Sequence, residues 1–81
     1  MNQHKLSQMQ KHILRFLLDG HWRTNRDIIL GIGMKYDPKN QASVSRSLYR
    51  LHDRQLVQNS WRGWAITNQG KNSQMTKRAN G

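Results

Sequence analysis

Between Asp37 and Arg54 the chain sorts its side chains onto two opposite faces, and this division restricts the fold more than any other feature. Asp37-Pro38 is a helix-start signature, because proline has no N–H to leave unsatisfied in the first turn. Asn40 is a second eligible start. From either start, Val44, Leu48, Leu51 and Gln55 fall on one side of a helix running to about Arg54. The other side carries Lys39, Ala42, Arg46 and Tyr49, flanked by Ser43, Ser45 and Arg50, with no acid before Asp53. A generic solvated helix mixes signs and uses Glu–Lys pairs. This one has a side to bury and a cationic side to present.

Two more helices precede it. Leu6, Met9, Ile13, Phe16 and Leu17 share a face over about residues 5–18, with Ser7 and Gln10 at capping-box spacing and Asp19-Gly20 as the stop. Leu14 and Leu18 widen that stripe, either as extra core or as a homodimer seam; a small domain needs wide apolar faces, which favours core. Thr24 and Asp27 have capping-box spacing before Ile28, Ile29 and Ile32. Gly31 and Gly33 keep that second helix short. Gly31-Ile32-Gly33 is not a phosphate loop, since no strand precedes it and no Lys-Ser/Thr pair follows. Trp22, between Gly20 and Thr24, belongs to a short extended segment packed on the core.

After the third helix, residues 56–67 read as a hairpin turning at Arg62-Gly63, with Trp61 and Trp64 expected as core residues that anchor it. From Asn68 onward the only large hydrophobe is Met75, among Lys71, Lys77 and Arg78. The expectation there is one helical turn from Thr67 at most, then a disordered basic tail over 71–81. The fold class is therefore mainly α with a small β-hairpin, in one domain over 1–70.

Composition narrows the chemistry. The chain has 81 residues and a formal net charge of +10, from 14 Lys and Arg against four acids, all Asp. Without cysteine there is no disulfide framework, thiolate metal site or thiol nucleophile. Asp19, Asp27, Asp37 and Asp53 do not assemble readily into a catalytic carboxylate pair, and no serine has a nucleophile-elbow setting. His4, His12, His21 and His52 lack metal-ligand spacing. No enzyme activity, metal, cofactor or small-molecule ligand is expected. No apolar run is long enough to span a bilayer, and the first residues lack signal-peptide form, so a cytoplasmic location is expected, at the nucleoid, or a nuclear one if the host is eukaryotic. So basic a chain has a polyanion as its expected partner.

The order helix, short strand, helix, helix, hairpin resembles the winged helix-turn-helix superfamily. Residues 42–57, Ala42-Ser43-Val44-Ser45-Arg46-Ser47-Leu48 through Leu56-Val57, resemble its recognition helix and following strand. Trp64-Ala65-Ile66-Thr67-Asn68-Gln69-Gly70 resembles the ending of its wing. Gln55 stands where the superfamily usually has Gly. The resemblance covers about residues 5–70 and implies three helices plus a wing.

It also implies a transcription regulator that binds double-stranded DNA, with the third helix in the major groove and the wing on the flanking groove or backbone. By analogy, such minimal regulators occur on mobile elements, and there is no room for a separate effector domain. Gln41, Ser43, Arg46 and Tyr49 are the candidates for base edges, Arg46 for a guanine. Lys39, Ser45 and Arg50 are candidates for the sugar-phosphate backbone, as are Thr24, Asn25 and Arg26 at the start of the second helix and Arg62 at the hairpin tip. Trp61 could stack on a sugar or base. Two other readings stay open: an RNA-binding winged helix, and a protein–protein adaptor.

Overall fold

The computed structural model describes residues 6–79, with side chains through Gln74. The first helix, α1 (Gln8–Phe16), begins behind the expected capping box at Ser7, about three residues later than the expected start at Lys5. The Ser7 hydroxyl accepts from the Gln10 amide at 3.1 Å, and the Gln10 side chain accepts from the Ser7 amide at 2.9 Å. The helix tightens into a 3-10 turn over Leu17–Asp19 and stops at Gly20, whose φ of 85° suits a residue without a Cβ. Lys5, the expected first residue of this helix, lies outside the described residues.

The second helix, α2 (Asn25–Gly31), carries the expected reciprocal cap between Thr24 and Asp27. For α3 (Pro38–Asp53), the Asp37 carboxylate accepts from the Asn40 amide at 2.8 Å. That bond selects Asp37 over Asn40 as the start. At the other end Gln55 adopts the left-handed conformation, φ 63°. Its N–H donates to the His52 carbonyl, and the Leu56 N–H donates to the Leu51 carbonyl. These are the two bonds of a Schellman ending. Leu51 and Leu56 both lie in the core, the apolar contact that usually accompanies this ending. The missing glycine does not prevent the sharp exit, because burial of Leu56 offsets the strain at Gln55.

The exit delivers the chain into β1 (Val57–Ser60), which pairs antiparallel with β2 (Gly63–Ile66) in the register Val57↔Ile66 to Ser60↔Gly63. The turn is Trp61-Arg62, one residue earlier than expected. Arg23 adds a one-residue third strand: Arg23 and Trp64 exchange both backbone bonds, at 2.8 and 2.7 Å. Gly63 makes this close approach possible, since a Cβ there would collide with the Arg23 carbonyl.

The tail departs from expectation. Instead of one turn and disorder, the chain is helical through α4 (Asn68–Ala79). Thr67 explains the start: its hydroxyl accepts from the Gly70 amide at 3.0 Å and donates to the Gln55 carbonyl at 2.7 Å. Gly70 is buried against the Leu56 backbone, leaving no room for a Cβ. These are tertiary contacts that an apolar stripe would not reveal.

The fold is mainly helical with a small two-stranded antiparallel hairpin. Its core joins Ile13, Leu14 and Leu17 to Ile28, Ile29, Val44, Leu48 and Leu51, closed below by Leu56, Val57, Trp64 and Ile66. Leu14 is thus consumed by its own core, whereas Leu18 stays 43% exposed. Among the described residues no helix is long and apolar enough to cross a membrane.

Candidate nucleic-acid interface

The anchored side of α3 fixes what its other side shows. Val44, Leu48 and Leu51 are fully buried, so the helix cannot roll without opening the core. Lys39, Ala42, Arg46, Tyr49 and Arg50 are consequently exposed. Gln41, Ser43 and Ser45 are half-buried on the flanks. Among the described residues, no carboxylate pairs with Lys39, Arg46 or Arg50; the ion pair present is Arg23–Asp19, at 2.9 Å. The Asp19 carboxyl is held below its ordinary range by the His21 backbone amide and then by Arg23.

One polar chain ties three elements together behind this face. The Trp64 indole N–H donates to the Asn25 side-chain oxygen at 2.7 Å. The Asn25 amide nitrogen donates to the Ser45 hydroxyl at 2.8 Å. Asn25 and Ser45, both candidate backbone contacts, thereby lock α2 to α3 and to the hairpin. The Tyr49 ring, 60% exposed, meets Trp64 edge-on at 5.4 Å between centroids, and His52 does so at 6.1 Å. Tyr49 is thus oriented by the hairpin, while much of its ring remains outside.

The start of α2 is already occupied. The Thr24 hydroxyl accepts from the Asp27 amide and the Asp27 carboxylate accepts from the Thr24 amide, at 3.1 and 3.2 Å. That carboxylate opposes a phosphate at the same place. Arg26 is exposed, with its guanidinium over the Tyr36 ring at 5.6 Å.

At the hairpin tip the sequence reading needs correction for one residue. Trp64 is a core residue as expected, but Trp61 is 90% exposed. The expected turn at Arg62-Gly63 left Trp61 on a strand with an inward side; the observed register makes it a turn residue, with no face of the sheet to occupy. Arg62 is also exposed, its guanidinium 5.2 Å from the Trp61 ring centroid. The sequence reading also missed the Trp64–Asn25–Ser45 chain, because hydrogen bonds across 39 and 20 residues leave no local spacing signal.

Among the described residues no three His or Asp side chains come together as a metal site. No family model, curated protein or solved structure matches this chain.

Proposed function

We propose that this chain is a winged helix-turn-helix protein that binds double-stranded DNA and regulates transcription, with no catalytic role. The observation that carries the reading is the outward face of α3: exposed Lys39, Arg46, Tyr49 and Arg50, without carboxylate partners among the described residues, on a helix anchored by fully buried side chains. A major groove about 12 Å wide admits one such helix. In this reading Arg46 is centred on the presented face and reads a base, with Gln41, Ser43 and Tyr49 beside it. Lys39, Arg50 and Arg62 bind phosphates, and the β1–β2 hairpin is the wing. Asn25 and Ser45 hold the reading helix in place rather than serving as independent phosphate ligands. The protein acts wherever its DNA lies: at the nucleoid in the cytoplasm, or in the nucleus if the host is eukaryotic.

Selection of bound sequences from a random duplex pool supplies the target for the test. Arg46→Ala is then expected to weaken the selected duplex by about 1–3 kcal/mol and to relax preference at one base position. Lys39→Ala and Arg50→Ala are expected to weaken all duplexes more evenly. Equal loss on selected and scrambled duplexes for Arg46→Ala would remove its base-reading role. Preference for duplex RNA in competition would overturn the DNA assignment itself.

A further inference from the structure

Trp61 is the most exposed large apolar side chain among the described residues, at 90%, well beyond Tyr49 at 60% and Leu30 at 52%. Nothing in the fold requires it. A two-residue turn favours small or polar residues, and an indole in water earns no packing energy. Neither Trp61 nor Arg62 takes a positive φ, because Gly63, at 116°, absorbs that demand.

The surroundings hold the backbone of the turn that carries the indole. The Arg62 amide donates to the Ser60 hydroxyl at 3.1 Å, and the Asn59 side-chain amide donates to the Gly63 carbonyl at 2.9 Å. The base of the hairpin is pinned by Arg23 on one edge and by the Trp64–Asn25 bond. The result is a rigid tip that presents a large π-face with a guanidinium against it, 5.2 Å from the ring centroid. The charge of +10 selects an anionic occupant. A phosphate alone would need only the arginine. An aromatic face beside a cation matches a nucleotide, whose base stacks while its phosphate pairs.

We infer that Trp61 is a base-stacking residue, seated against a nucleobase that is unpaired or unstacked at the edge of the bound duplex, with Arg62 on the adjoining phosphate. This inference rests on the reading of the chain as a DNA-binding protein. It adds a second recognition element, sensitive to the state of a base rather than to its hydrogen-bonding edge. Wedge side chains act in this way where they open a base step. Steps that unstack easily, such as pyrimidine–purine steps, are then preferred beside the site that α3 reads.

The test uses the full chain and two DNA probes: a closed duplex of mixed sequence, and the same duplex with one unpaired 2-aminopurine at either end. The chain is expected to bind the probe with the unpaired base about fivefold to a hundredfold more tightly, with quenching of the 2-aminopurine as it stacks. Trp61→Ala is expected to melt with the parent and to bind both probes equally, without quenching. Trp61→Phe is expected to restore part of the preference, and Arg62→Ala to weaken both probes by the same factor. A preference that survives Trp61→Ala, or that the parent chain lacks, overturns the inference. So does a Trp61-dependent binding to anionic phospholipid vesicles without any base preference, which would make the tip a membrane contact. Binding of unpaired strands through Trp61, with no affinity for the closed duplex, would instead overturn the duplex reading and uphold the stacking role. Binding of neither probe would remove both.

Discussion

Gln55 shows how a single residue can carry strain for its element. Its φ of 63° costs a residue with a Cβ about 1–2 kcal/mol relative to right-handed backbone. Glycine would avoid that cost but would lose more freedom on folding. The balance predicts that Gln55→Gly raises stability by about 0.5–1 kcal/mol, read as a higher denaturant midpoint at unchanged slope. A lower midpoint would mean that the Gln55 side chain contributes more than its backbone costs. Gly63 is the opposite case. Its φ is 116°, and a Cβ would strike the Arg23 carbonyl. Gly63→Val is therefore expected to be more destabilising than Arg62→Ala, because it breaks both the turn and the third-strand pairing; thermal melts of the two variants check the order.

At the scale of elements, α3 depends on which of its sides is anchored. Leu48→Ala is expected to cost about 2–5 kcal/mol, since a fully buried leucine leaves a cavity. Ser43→Ala, on a half-buried flank, is expected to change stability little while altering DNA binding. The reverse ranking in denaturant melts would mean that the helix is rotated from the orientation described. The docking of α2, α3 and the hairpin has its own polar fastening in Asn25. Asn25→Ala leaves the Trp64 indole N–H and the Ser45 hydroxyl without their partner, with an expected cost of about 1–3 kcal/mol. If Asn25 served only a phosphate, the variant would lose affinity and keep its melting temperature.

For the whole molecule, charge rather than shape sets the strength of non-specific binding. A domain that lays α3 and the hairpin on DNA, with Lys39, Arg50 and Arg62 on the backbone, neutralises about three phosphates, which predicts a log K against log salt slope of about −3. Arg62→Ala should make that slope shallower by about 1 and leave the preferred core sequence unchanged. An unchanged slope and an unchanged footprint would place the hairpin away from DNA and favour a protein partner for this edge. The exposed Leu18, Leu30 and Tyr36 do not enter that account, since none belongs to the outward face of α3.

Signals confined to neighbouring residues were legible in the chain. Ser7 with Gln10, Thr24 with Asp27, and Asp37 before Pro38 each act within three residues of backbone, so spacing located the start of α2, came within about three residues of the start of α1 and narrowed that of α3 to Asp37 or Asn40. The split of α3 into Val44, Leu48 and Leu51 against Lys39, Arg46 and Tyr49 follows from a 3.6-residue period and needs no knowledge of the neighbours. Tertiary structure decided the rest. Trp61 and Trp64 are alike in type and differ by three positions, yet one is exposed and the other buried, because strand register rather than composition determines which indole meets Tyr49, His52 and Asn25. The helical start after Thr67 likewise depends on the Gln55 carbonyl and the Leu56 backbone, brought alongside only once α3 has turned sharply into β1. Those contacts exist only after the elements dock, and so no local pattern encodes them.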